Sequence, residues 1–120
     1  MSTILVVDDV KTDRDLIGSL VTRSGNQPVF AADGEEALVR ADEYKPALVL
    51  MDVVMPKLDG YGACRKLKQN PATKQIPVVL VTSKGSDSDV FWGKRQGAGE
   101  VVPKPFAAEA LLAVIRRFVG

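Results

Sequence analysis

Ala47-Leu48-Val49-Leu50-Met51-Asp52-Val53-Val54-Met55-Pro56-Lys57-Leu58-Asp59-Gly60 decides the fold. An apolar run of strand length ends abruptly in a carboxylate, and a loop carrying Pro56 and closed by Gly60 follows at once. Because the run is apolar on both faces of its pleat, it reads as a central strand of a parallel sheet covered by helices. In such sheets ligands bind in the crevice beyond the carboxyl ends of the strands, so Asp52 stands where chemistry is expected. A lone acid could equally start a solvated turn, and the rest of the chain has to decide.

Working outward, the same ending recurs. Ile4 to Val7 is a short branched apolar run that stops at Asp8 and Asp9, and Ile76 to Val81 is a second fully apolar strand ending at Thr82-Ser83-Lys84-Gly85. Val101 and Val102 form a brief fifth strand before Pro103-Lys104-Pro105, and Pro28 to Ala32 a weak second one. Helices are predicted between them. Thr12 with Asp15 suggests a capping box for the first, with Leu16, Ile17, Leu20 and Val21 at helical spacing up to Gly25. Asp33-Gly34-Glu35-Glu36 opens the second, which ends at Lys45-Pro46, and the third runs from Tyr61 to Gln69. The fourth, Ser86 to Gln96, is weakened by surrounding glycines, while Ala107 to Val119 carries an apolar side of Leu111, Leu112, Val114, Ile115 and Phe118. Strict alternation of five strands and five helices predicts an α/β fold, a doubly wound parallel sheet with helices on both faces. Asp8, Asp9, Asp52, Thr82 and Lys104 then gather at one edge.

Composition narrows the chemistry. At 120 residues the chain makes one domain, and 16 basic against 15 acidic side chains leave a net charge of +1. Neither a nucleic-acid backbone nor an anionic membrane surface is an expected partner. No apolar stretch is long enough to span a bilayer and no basic leader opens the chain, so the expected location is cytoplasmic. Cys64, the single cysteine, reads as small core filler rather than a reactive thiol. With no histidine at all, any reaction must run on carboxylates, hydroxyls and lysines. Three crowded carboxylates call for a hard cation, and all-oxygen ligation favours Mg2+. The ammonium of Lys104 and the hydroxyl of Thr82 would complement a phosphoryl group, with Asp52 its acceptor and Asp8 and Asp9 the metal's ligands.

Val7-Asp8-Asp9, Leu50-Met51-Asp52-Val53-Val54-Met55-Pro56 with Asp59-Gly60, Val81-Thr82-Ser83, and Lys104-Pro105-Phe106, in that order, resemble the receiver domain of bacterial two-component response regulators. The resemblance covers essentially residues 1–120 as one receiver domain with no output domain. It implies a flavodoxin-like fold with strand order 2-1-3-4-5, an order that the spacing here does not itself establish. It further implies that Asp52 is the phosphoacceptor, that Asp9 is a direct Mg2+ ligand with Asp8 beside it, and that the backbone carbonyl of Val54 is another. Thr82 matches the switch hydroxyl and Lys104 the lysine that contacts the phosphoryl group, with a Lys104-Pro105 bond of the cis type. The implied donor is a phosphohistidine on a partner histidine kinase. Such a chain would not be an enzyme beyond its own phosphoryl transfer and loss.

Departures and finer features qualify the resemblance. Many receivers carry an aromatic residue three positions before the lysine, where this chain has Val101, so Thr82 and the Ser83 to Gly97 segment are left to carry the switch. Neither Val54 nor Lys84 can orient an attacking water as a carboxylate or carboxamide would, which implies slow phosphoryl loss. Phe91-Trp92-Gly93-Lys94-Arg95-Gln96-Gly97-Ala98 is similar to stand-alone receivers of chemosensory systems that control type IV pilus twitching motility and phototaxis. Phe91 is expected in the core, Trp92 half-buried, and Lys94 and Arg95 on a solvated face. Val90, Lys94 and Val101 are the positions expected to form a surface for a downstream protein whose identity is unknown. The competing readings are a phosphate sink for a shared kinase, an aspartyl-nucleophile magnesium phosphohydrolase, and a flavodoxin-like electron carrier. Val54 lies where such a hydrolase usually has its second acid, and the acids after the first strand lie where a flavin phosphate needs neutral donors.

Overall fold

The computed structural model describes all 120 residues. Strands β1 (Thr3–Val7), β2 (Gln27–Ala31), β3 (Leu48–Met51), β4 (Val78–Thr82) and β5 (Glu100–Pro103) alternate with helices α1 (Lys11–Arg23), α2 (Gly34–Tyr44), α3 (Gly60–Gln69), α4 (Asp87–Arg95) and α5 (Ala108–Val119). The strands form one parallel sheet in the order β2-β1-β3-β4-β5. This is the doubly wound α/β fold expected from the alternation, in the order implied by the receiver resemblance.

Alternation along each strand separates two cores. Val7, Met51, Leu80 and Val101 point to one face and pack with Ala37, Ala41, Ala63, Cys64 and Leu67 from α2 and α3. Ile4, Val6, Leu50, Val79, Val81 and Val102 point to the other, against Ile17, Leu20 and Val21 of α1 and Leu111, Leu112 and Ile115 of α5. The small residues on α2 and α3 let those helices lie close to the sheet. Full burial of a leucine such as Leu111 contributes on the order of 2–3 kcal/mol.

Helix ends follow local chemistry, with one difference from the sequence reading. Asp33 caps α2 by accepting the amide of Glu36 at 2.8 Å, while the Glu36 carboxylate reaches back to the amide of Ala32. Ser86 and Asp89 form a reciprocal capping box on α4. Thr12 and Asp15, by contrast, do not cap α1: that helix opens at Lys11, its N-cap position is Val10 without a side-chain bond, and Asp15 pairs with Lys11 at 2.7 Å. The strand-end acid supplies the constraint instead, since the Val10 amide donates to Asp8 Oδ1 at 3.0 Å.

One aromatic side chain stands elsewhere than expected: Phe91 is 64% exposed rather than in the core, whereas Trp92, 50% exposed, is half-buried as expected. Gly93 is the buried residue of α4 and Val90, one turn before it, packs against the core, so the 100° step per residue turns Phe91 to the opposite side. Leu16 is likewise 53% exposed, leaving Ile17, Leu20 and Val21 as the buried stripe of α1.

Candidate functional site

The sheet register brings the strand ends together. Val7 pairs with Met51, and immediately beyond them the Asp52 amide donates to the Val7 carbonyl at 3.0 Å, while the Asp8 amide donates to the Ala31 carbonyl at 3.1 Å. On the far side Thr82 pairs with Pro103, and the Lys104 amide donates to the Thr82 carbonyl at 2.9 Å. Asp8, Asp52 and Lys104 continue the alternation that faces α1 and α5. Thr82 continues that of Leu80, on the face of α4 and Val101.

Asp8, Asp9 and Asp52 each offer a carboxylate oxygen within 4.8 Å of the others. Asp8 is fully buried, Asp52 partly so, and Asp9 exposed. The Lys104 ammonium reaches Asp8 Oδ2 at 2.7 Å, Asp13 Oδ2 at 2.9 Å and Asp52 Oδ2 at 3.4 Å. Burial raises the Asp8 carboxyl above its ordinary range, even though Lys104 and the Val10 amide act to lower it. Burial alone would lower the Lys104 ammonium, but its hydrogen bonds to Asp8 and Asp13 override that and hold it protonated. The lysine is therefore a permanent positive charge among acids that repel one another.

This donor set fits a divalent cation. Three carboxylates with no thiolate or imidazole are hard oxygen ligands, and Asp9 remains open to water on one side, as a magnesium ion that keeps several waters requires. The Asp52 Oδ1 accepts the Val53 amide at 2.7 Å, which fixes that carboxylate's rotation, while Oδ2 faces Lys104.

The other expected positions are distributed around this centre. Thr82 is buried and its hydroxyl accepts the Lys84 amide at 3.1 Å. The Val54 side chain is 57% exposed, on the loop that leaves Asp52. Val101 is buried, Val90 is partly buried against the core, and Lys94 is exposed within 3.8 Å of Glu100; these three lie along α4 and β5 and not among the acids. The Lys104-Pro105 peptide is cis, as the resemblance implies. Two contributors escaped the sequence reading: Asp13, and Arg14, whose guanidinium donates to the Asp8 carbonyl at 2.9 Å. An acid in the first turn of a helix reads by default as a partner of the helix dipole, so Asp13 gave no distinct signal.

Known proteins agree with this geometry. Residues 4–116 match the response regulator receiver domain family. Protein PilH of Pseudomonas aeruginosa is 41% identical over 96% of this chain and 95% of its own length. Protein PilG of the same organism is 35% identical over 97% of this chain and 86% of its own. A probable transcriptional regulator of Cyanophora paradoxa, ycf27, is 42% identical, but the match spans only 46% of it. Among solved structures, the chemotaxis protein CheY4 of Vibrio cholerae superposes with a TM-score of 0.92 at 29% identity, covering 99% of both chains. The receiver domain of a sensor histidine kinase from Pseudomonas aeruginosa, crystallised with magnesium coordinated in its active-site cleft, gives 0.91 at 26% identity over 99% of this chain and 98% of that one. With the strand order, the acids at the ends of β1 and β3 and the lysine after β5 all in place, this chain belongs to the receiver-domain family of two-component response regulators, signalling modules of the phosphorelay.

Proposed function

We propose that Asp52 accepts a phosphoryl group from a phosphohistidine on a partner histidine kinase and that the chain thereby switches a protein-binding surface. The observation that carries this reading is the convergence of Asp8, Asp9 and Asp52 within 4.8 Å beside the Lys104 ammonium. A carboxylate oxygen of Asp52 attacks phosphorus, the bond from phosphorus to the imidazole nitrogen breaks, and the electron pair leaves with the nitrogen, which takes up a proton. Asp8, Asp9, Asp52 and the Val54 carbonyl would hold Mg2+, which supplies charge neutralisation for the transferring oxygens. Lys104 balances the remaining charge, and Thr82 turns from the Lys84 amide toward the phosphoryl group.

Val101 and Gly93 give this movement its route to the surface. A methyl group built at Gly93 would lie 3.1 Å from Val101 and 3.0 Å from Leu80, so a shift at the end of β4 is felt directly by α4. Val90 and Lys94 belong to the surface so altered, with Val101 buried beneath it rather than on it as expected, and the similarity to PilH and PilG supports a chemotaxis-type role in twitching motility. The chain acts as a single receiver domain within the cytoplasm, through a protein partner and not through nucleic acid or membrane. No helix is long and apolar enough to cross a membrane. Val54 and Lys84 leave no side chain to orient an attacking water, so phosphoryl loss is slow; decay within a few seconds would contradict this.

Trp92, the one tryptophan, stands half-exposed on α4 and provides the test. Its fluorescence should change when beryllofluoride, a phosphoryl mimic, is added with magnesium, and the change should vanish without magnesium and in Asp52→Asn. A response retained in Asp52→Asn would overturn the acceptor. Beryllofluoride binding without any response at Trp92 would favour a phosphate sink, a reading to which the missing aromatic at Val101 lends some support.

A further inference from the structure

The Lys104 ammonium is shared unequally. Its three protons face three carboxylates, at 2.7 Å from Asp8, 2.9 Å from Asp13 and 3.4 Å from Asp52. The nearer two belong to the first strand end and to α1, so the nitrogen is drawn away from the acid that would carry the phosphoryl group. Asp8 is fully buried and fixed by the Val10 amide, and it stands among the candidate metal ligands. Asp13 is different. It lies outside the metal cluster, its side chain is 39% exposed, and it forms the rim of a groove of about 390 Å³ lined by Leu16, Ile17, Ser83, Pro105 and Phe106. Neither capping α1 nor holding a cation accounts for it.

From this geometry we infer that Asp13 is a positioning residue that holds Lys104 back from Asp52, so that a phosphoryl group must win the ammonium in competition with the Asp13 carboxylate. The inference rests on the reading of Asp52 as phosphoacceptor. A new anion on Asp52 can recruit Lys104 fully only when one of its existing partners gives way, and Asp13, half in water, yields at the lowest desolvation cost. Asp13 therefore lowers the affinity of the site for a phosphoryl group and keeps Lys104 ordered before one arrives. It is a brake set by a single charge.

The test is beryllofluoride binding in the presence of magnesium, followed by the fluorine resonance of the bound species, in four proteins: wild type, Asp13→Asn, Asp15→Asn and Asp52→Asn. Asp13→Asn keeps the side chain's size and removes its charge, and should lower the half-saturating concentration roughly two- to fivefold, the scale of a partly exposed ion pair. Asp15→Asn removes the same charge from the same helix, where the carboxylate pairs with Lys11 and not Lys104, and should leave that concentration unchanged. Equal affinity in wild type and Asp13→Asn would overturn the inference, even if the melting temperature moved, because that combination describes a merely structural pair. Equal tightening in Asp13→Asn and Asp15→Asn would overturn it too, since the charge would then act without Lys104. Failure of wild type to bind, or binding retained in Asp52→Asn, would remove the phosphoacceptor reading and this inference with it, and either is visible without the Asp13 variant.

Discussion

Gly60 is pressed edge-on against the backbone carbonyl of Asp52. A methyl group built at its α-carbon would fall well inside van der Waals contact with that oxygen and within 2.8 Å of the Val53 α-carbon. The Gly60 amide donates to Val53 at 2.8 Å, so the first residue of α3 and the strand-end acid are locked as one unit. The loop from Val53 to Asp59 can therefore close only over a residue without a side chain.

Replacing Gly60 with alanine should shift the loop that carries Asp52 and Val54. A loss of about 1–3 kcal/mol in urea unfolding is expected, the usual range for forcing a carbon into packed surroundings, together with weaker beryllofluoride binding. Stability and binding equal to wild type would show that the loop relaxes freely.

Cys64 is fully buried in α3, with its sulfur 3.4 Å from the Gln96 carbonyl at the end of α4. Burial pushes the thiol up from 9.0 to about 11. Iodoacetamide at pH 8 should label it slowly in the native protein and rapidly in urea. The sign of the pH effect follows: between pH 9 and 11 the unfolded thiol ionises and the folded one does not, so stability falls with rising pH by roughly 2 kcal/mol. Cys64→Ala should lack that slope, as paired urea titrations across this range would report.

Tyr61 packs its ring toward Gly93 between α3 and α4, and its buried hydroxyl oxygen has no hydrogen-bond partner. An unpartnered buried hydroxyl stabilises nothing, so Tyr61→Phe should leave the protein as stable as before or raise its stability by up to about 1 kcal/mol. Thermal unfolding measures this, and a loss larger than that would place a partner on the hydroxyl.

Much of this architecture is legible in the sequence because β3 and β4 are covered on both faces and so read as unbroken apolar runs. The acids closing β1 and β3, and Lys104 after β5, are legible for a related reason: a charge directly after such a run has nowhere to stand but the sheet's edge. Strand order carries no local signature, since Leu48 to Met51 would look the same beside any neighbour. Phe91 was expected in the core because large aromatic residues usually are; the buried stripe of α4 runs instead through Val90 and Gly93, and a glycine leaves no trace in an apolar pattern. Asp13 was missed because its partner lies 91 positions away, a distance that periodicity does not see.

Lys104 is the cation that makes the acidic cluster tolerable before a metal binds. In Lys104→Ala the buried Asp8 would keep only the Val10 amide and would face Asp52 without compensation, so a loss of about 2–3 kcal/mol is expected in the absence of magnesium. Asp8 already has a raised pKa from burial, and losing Lys104 raises it further. A carboxyl that holds its proton more tightly when folded favours the folded state at low pH and loses that advantage as pH rises through its folded value. The defect of Lys104→Ala should therefore be smallest in acid and largest at neutral pH. Millimolar magnesium should raise the variant's melting temperature more than the wild type's, because the ion takes over the neutralisation and no longer competes with an ammonium. An equal shift in the two proteins would mean that Lys104 and the metal act on separate charges.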